Sequence, residues 1–513
     1  MEISTYARSL LIQQRSELLQ TRLFKANEQL VTGKKASQFS ELGGQSAQTL
    51  SLRAKIRTVV QYQETIGLTN RRMEVMHESL ERTNKIGHDV STEVLTGLYD
   101  NEAKLPYLAE TAGTAADEMI TLMNARFGER YLFGGAKSDA APVTNLQDML
   151  RGDPSDPAGA TRGLMDLVDS RAVVDAASPA ADLPAGQWPG HVEVRTDGTT
   201  VEFRLDELAF EGFGMEIKEL RYDQATGGTA SIPAAGVAEP PPAGPDTVPA
   251  VSVDTSAVTF FAGQTFRLMV EMPDGTDKSI EIRAVTGNGP HDRDTFRIDY
   301  NAQVNFTEAF TGALERTATT DLKAASAQQA ATEFFDFPPK VVQFDGGSGQ
   351  WQVVEDDVGE VVRWYDGQRG GDPRDGARVK VDDGTIVDYG IRADEAPLAD
   401  TLKQLALLAG FEYDAQDTEP YKALAERSGS LLSDASERVR TLLGAHGTRQ
   451  ELVAGYEERH AATEAMATGQ LNDMENVSQQ EVASRILTLE SQLQASYELT
   501  SRGQNLSLVR FLS

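Results

Sequence analysis

The feature that most constrains this 513-residue chain is the likeness of its two ends to each other and their unlikeness to its middle. Residues 1–135 and about 426–513 read as long amphipathic helices, and most of what lies between reads as short strands, turns and Pro/Gly linkers. Two helical arms so far apart in sequence bury their apolar stripes only against each other or against neighbouring copies. That layout suits a polymer subunit with a decorated surface better than a pocket enzyme.

In the first arm Ile3, Ala7, Leu10, Leu11 and Leu18 lead into Leu19, Leu23, Ala26 and Leu30. Spacings of four, three and four make a helical stripe close to a coiled-coil repeat. Gly33 stops the run. A second stretch, about Ala47–Leu98, repeats Leu52, Ile56, Val59, Ile66, Met73, Met76 and Leu80, a rod-like length. Pro106 marks a turn, and a third helix runs from about Tyr107 to Phe127. The second arm repeats Leu432, Ala435, Val439 and Leu442, then Val482, Ile486, Leu489 and Leu493. It closes on the apolar set Leu506, Leu508, Val509, Phe511 and Leu512, which is expected to be buried inside an assembly because free ends are normally polar.

The middle is punctuated differently. Residues 138–190 are Pro-, Ala- and Asp-rich and read as a linker with one short helix near Leu164–Val174. Hairpin patterns surround Asp197-Gly198 and Asp274-Gly275, and residues 224–250 between them read as an extended surface linker. Helical spacing returns over 303–335. Strand signals follow at 341–344, 352–354, 360–365, 377–381 and 385–389, and a short helix at about Leu398–Leu408.

Composition narrows the function classes. A net charge of −30, from 48 basic and 78 acidic residues, argues against nucleic acid as a partner. Residues 1–60 carry nine basic residues against four acids, whereas 430–513 carry seven against eleven, so the arms are electrostatically complementary. With no cysteine, disulfide and thiolate chemistry are excluded. No apolar run is long enough to span a membrane, and charges interleaved through the first 30 residues do not read as a cleavable signal peptide. His77, His88, His191, His291, His446 and His460 show no metal-ligand spacing, and Gly346-Gly347-Ser348-Gly349 lacks the Lys of a phosphate loop. Neither a metal site, a cofactor nor a catalytic set is therefore expected. The arm stripes have two readings, the core of an ordinary helical domain or contact with other copies. Rod-like length, sequence separation and the apolar tail favour the second.

At this point the ends resemble the flagellin family of bacterial flagellar axial proteins. The likeness rests on Ile3-Ser4-Thr5, on Leu30-Val31-Thr32-Gly33-Lys34-Lys35, and on the closing runs Gln492–Tyr497 and Leu506–Leu512. The segment Gly128-Glu129-Arg130-Tyr131-Leu132-Phe133-Gly134-Gly135 is similar to a signature of the hook–filament junction branch (hook-associated protein 3). Two departures stand: Ser40-Glu41-Leu42-Gly43-Gly44 replaces the branch's usual acidic segment, and the middle is large for a junction protein. The resemblance implies a subunit exported through the flagellar type III apparatus, an extracellular place in the flagellum, neighbouring axial proteins as partners, and a cytosolic export chaperone.

The expectation is thus an α+β multidomain chain. Antiparallel or coiled-coil helical arms from both termini pack together, with β-rich outer domains inserted between them. The expected divisions are an arm over 1–137, a linker over 138–190, a β-rich domain over 191–300, an α/β region over 301–425 and an arm over 426–513. The expected function is that of a non-enzymatic self-assembling homo-oligomer, without nucleic acid or membrane insertion. The expected assembly contacts are Ile3, Leu10, Leu19, Leu23, Leu30, Val482, Ile486, Leu489, Leu493, Leu506, Leu508, Phe511 and Leu512. Filament flagellin is the alternative, and a secreted binding module carried by the central residues a remoter one.

Overall fold

The structure, a computed structural model, describes residues 2–100, 105–154, 161–176, 189–205, 212–238, 247–287, 293–346 and 350–511. It is mixed helix and sheet, with long helices at both ends and sheets between. In chain order the helices are α1 (Glu2–Thr32), α2 (Ser46–Asp100), α3 (Leu105–Met123), α4 (Leu146–Arg151), α5 (Leu164–Asp175), α6 (Ala302–Thr317), α7 (Lys323–Phe335), α8 (Ala396–Gly410), α9 (Glu419–Glu475) and α10 (Gln479–Phe511). The strands are β1 (Arg126–Phe127), β2 (Arg130–Tyr131), β3 (Val192–Asp197), β4 (Thr200–Leu205), β5 (Glu216–Asp223), β6 (Thr229–Pro233), β7 (Ala235–Ala238) and β8 (Thr247–Asp254). They continue with β9 (Thr265–Glu271), β10 (Asp277–Val285), β11 (Thr295–Arg297), β12 (Lys340–Asp345), β13 (Gln350–Glu355), β14 (Arg378–Asp382) and β15 (Thr385–Asp388).

The chain forms two compact units. One comprises residues 1–71, 379–387 and 449–513; the other comprises 72–378 and 388–448. Both α2 and α9 run on from one unit into the other.

In the first unit α1 ends because Gly33, at φ 69°, takes the left-handed conformation that closes a helix and that a side chain would oppose. Residues 33–35 then pair with the break between α9 and α10. Lys35 N donates to Glu475 O at 2.7 Å and Val477 N to Gly33 O at 3.0 Å. This clasp sets the exit of α1 beside the start of α10, so the two helices run antiparallel. The first part of α2 and the last part of α9 also run antiparallel, tied by Arg53–Glu475 at one point and Asn70–Glu457 at another. The β14–β15 hairpin turns at Asp383-Gly384. Its Val381 carbonyl accepts from His460 Nε2 at 2.6 Å, and the His460 ring stacks on Tyr62.

In the second unit the alternation of Phe266, Leu268 and Val270 on β9 with Ile280, Ile282 and Ala284 on β10 puts one face of each strand into a single core. That core lies between a five-stranded sheet of order β11-β10-β9-β5-β6, a four-stranded sheet of order β3-β4-β8-β7, and α6. Phe203, Phe260, Phe266, Phe296, Phe306 and Phe310 meet there, mostly edge to face, the arrangement that aromatic quadrupoles favour. Elsewhere in the unit α2 and α9 approach closely through small residues. A Cβ on Gly429 would meet Val94 Cγ1 at 2.9 Å, and Ser91 Oγ donates to the Gly429 carbonyl at 2.8 Å.

Two local expectations need correcting. Residues 360–365 form no strand; only isolated bridges tie Val361 to Arg162 and Tyr365 to Val143, and Trp364 and Tyr365 are buried as core side chains. The β-branched and aromatic residues there serve burial of a loop. Residues 224–250 are not wholly linker, because Gly227 and Gly228, both at positive φ, fold β6 back onto β5, and β7 and β8 follow. Residues 239–246 of that stretch lie outside the described residues.

Candidate assembly interface

The paired ends of the chain supply the site. Ala26 of α1 and Val482, Ile486 and Leu489 of α10 form a buried cluster, with Leu19, Leu23, Leu30 and Val477 partly buried against it. Six of the residues expected at the assembly interface (Leu19, Leu23, Leu30, Val482, Ile486 and Leu489) thus pack within the single chain, in the seam between α1 and α10. Leu493 is half-buried further along the same stripe of α10. Gln20 Nε2 donates to Tyr497 Oη at 2.7 Å, extending the pairing beyond the apolar cluster. Leu10 stands apart from the cluster and is 40% exposed. Leu512 lies outside the described residues, as do the side chains of Ile3, Leu506, Leu508 and Phe511.

Ala26 was visible in the helical stripe but not chosen as a contact, although it is the most deeply buried member at 2% exposure. Its small side chain lies on the same helical stripe as the larger Leu23 and Leu30. The cue was its place in the three–four spacing, which side-chain size obscured.

The exposed faces of the same helices carry as much information. Leu11, Leu18, Phe24 and Val31 remain 64, 49, 74 and 86% exposed on α1. At ~100° per residue, Leu11 and Leu18 fall roughly 100° to one side of the seam and Phe24 and Val31 roughly 120° to the other. α1 thus presents apolar side chains on both flanks of its buried face. On α10, Leu487 and Leu499 are likewise 67 and 64% exposed. These exposed apolar groups, repeated along one helix, define the candidate surface.

Charge adds register. Arg53 grips Glu475 through two parallel bonds, Nε–Oε1 at 2.9 Å and Nη2–Oε2 at 2.6 Å. The Glu475 hydrogen bond holds the Arg53 guanidinium above its ordinary value. The complementary charges of the two arms meet at this pair, and nearby the Lys35 ammonium donates to the backbone carbonyl of Asp473.

The Gly128–Gly135 segment, in the second unit, is a packing device. β1 and β2 form a minimal hairpin around Gly128, and Phe133 is 1% exposed. Gln368 N donates to Gly134 O at 2.9 Å and Ala393 N to Phe133 O at 3.0 Å. A Cβ on Gly135 would come within 2.8 Å of the Gln368 amide oxygen. Gly134 and Gly135 are there because neighbouring chain passes too close for a side chain, and Gly128 because the turn takes a positive φ of 65°.

Among the described residues no group of three or more His, Asp or Glu is placed to hold a metal, and no helix is long and apolar enough to cross a membrane. Neither a protein-family model nor a curated protein matches this chain.

Proposed function

We propose that this chain is a non-enzymatic, self-assembling structural subunit of the bacterial flagellum, placed at the hook–filament junction and belonging to the flagellin family. The observation that carries the reading is the seam between α1 and α10. Helices from opposite ends of the chain join around Ala26, Val482, Ile486 and Leu489, while Leu11, Leu18, Phe24 and Val31 stay exposed on both flanks. A single chain satisfies one face of α1; a tubular array of copies satisfies the flanks, with knobs-into-holes packing of the coiled-coil kind. In this reading the β-rich residues lie outside the tube. Export runs through the flagellar type III apparatus, and a cytosolic chaperone covers the C-terminal helix beforehand. Other axial proteins cap the array above and below.

The sequence signature at Tyr131–Gly135 favours the junction, while the large middle favours the filament itself as the second reading. Copy number in sheared, purified flagella, measured by quantitative mass spectrometry, separates them. Trace abundance with enrichment at the hook end supports the junction. Bulk abundance makes the chain the filament flagellin, and absence from flagella removes both.

A further inference from the structure

In the second unit, outside the helix seam, two arginines converge on one exposed aromatic ring. The Arg369 guanidinium lies 3.4 Å from the centroid of Phe337 and that of Arg363 lies 6.0 Å from it. Phe337 is 58% exposed and Arg363 is exposed as well. Among the described residues neither guanidinium has a carboxylate partner. Arg369 donates only to the Tyr365 carbonyl, and the nearby Asp366 is taken by Lys137 at 2.5 Å. Burial first, and then the charge of Arg363, push the Arg369 guanidinium down from its ordinary value. Asp366 and Asp394 oppose that shift but are bonded to Lys137 and Arg392. Two like charges thus crowd one ring with no carboxylate bonded to either among the described residues, an arrangement that a planar carboxylate relieves by bidentate bonding.

The stretch that follows is also under-covered. In the β12–β13 hairpin Phe344 pairs with Trp351, their rings 5.4 Å apart, and Phe344 and Val353 are 48 and 39% exposed.

We propose that Phe337, Arg363 and Arg369 form a docking point for a carboxylate side chain on a second copy of this chain. The argument for that occupant is charge. The chain carries 78 acidic against 48 basic residues, so its copies repel one another overall. Cations without a bonded carboxylate offset part of that repulsion where they meet the acids of another copy. This site provides two such cations on an apolar platform. The inference rests on the assembly reading above and names one of its contacts.

The test is self-association of the full chain by sedimentation, comparing the unaltered chain with Arg363→Glu. The Arg363 side chain is exposed and donates no hydrogen bond among the described residues, so the fold survives its replacement; the melting temperature checks this. The expected result is an assembly threshold raised about fivefold at low salt, with the difference shrinking at ~1 M NaCl as screening removes it. A second arm uses the absence of native cysteine: Arg363→Cys carrying a photo-crosslinker joins, on assembly, to an Asp- or Glu-bearing segment of another copy. An unchanged threshold in a chain that does assemble overturns this contact and leaves the assembly reading standing. Failure of the unaltered chain to associate overturns both. Crosslinks confined within one copy, or loss of binding to an anionic polysaccharide with unchanged assembly, assign the site to something other than a second copy.

Discussion

Replacing Leu489 with Asp tests whether the α1–α10 seam is a cooperative element. Leu489 is 8% exposed and packs in a cluster with only three other buried side chains, Ala26, Val482 and Ile486. Removing a buried leucine from such a cluster forfeits about 1.5–3 kcal/mol. Placing a carboxylate there adds a further ~1–3 kcal/mol, since no cationic group faces the position from the cluster and water reaches only its edge. The combined cost, roughly 3–5 kcal/mol, is of the order of everything a four-residue seam contributes, so pairing of the two helices falls by a factor of at least ~100. Hydrogen exchange on the free chain reads this directly. Amides of residues 19–30 and 482–489 should lose their tertiary protection, while those of β9 and β10 keep theirs. Leu487→Asp is the control: Leu487 is 67% exposed on the same helix, and its replacement should leave exchange in α1 unchanged. If Leu489→Asp leaves α1 as protected as before, or if both variants act alike, the register assigned to α10 is wrong.

Other predictions concern buried charge and the chain ends. Arg171 is buried in the second unit, bonded to Asp175 at 2.9 Å and Glu333 at 2.6 Å and lying 4.4 Å from the Phe213 ring centroid. Arg171→Met strands two buried carboxylates and should destabilise that unit by about 3–5 kcal/mol in denaturant melts, whereas an equivalent change at exposed Arg440 should be nearly neutral. Burial raises the Glu333 carboxyl above its ordinary value, with Arg171 opposing it. The folded state therefore holds that proton more tightly than the unfolded chain, and the contribution of Glu333 is lost as pH rises from the ordinary carboxylate value through the raised one. Glu333→Gln cannot titrate, so its stability relative to the unaltered protein should improve between pH 4 and pH 8; a constant difference across that range contradicts the assignment. Removing Leu506–Ser513 should abolish assembly while leaving the melting of the second unit unchanged; normal incorporation into flagella counts against a role for the tail.

Much of the helical architecture was legible because a 3.6-residue repeat needs no knowledge of partners. The spacing of Leu19, Leu23, Ala26 and Leu30 set the buried face of α1, and Gly33 set its end. Asp197-Gly198, Asp274-Gly275 and Asp383-Gly384 each turned a hairpin, as their backbone freedom requires. Asp375-Gly376 sits in a short helical turn where Gly376 passes against Gly135, a contact invisible in sequence. Strand patterns failed at 360–365 because a run rich in β-branched and aromatic residues also suits a loop whose Trp364 and Tyr365 side chains are buried. The Arg171–Glu333 pair spans 162 residues, and only its Asp175 arm, one helical turn away, had a local cue. In the candidate interface the buried stripe was readable. The exposed flanks were not, since exposed and buried leucines look alike in sequence until one face is seen to be occupied.

The measurement that tests the central claim most directly is thiol labelling of Phe24→Cys, in a chain with no native cysteine. Phe24 is 74% exposed on the flank of α1. The account predicts rapid maleimide labelling in the free chain and labelling slowed at least ~10-fold once the protein is incorporated into flagella, as expected of a side chain buried between copies. Equal labelling rates in free and assembled protein would show that the flank of α1 faces solvent in the assembly, and the proposed interface would fall.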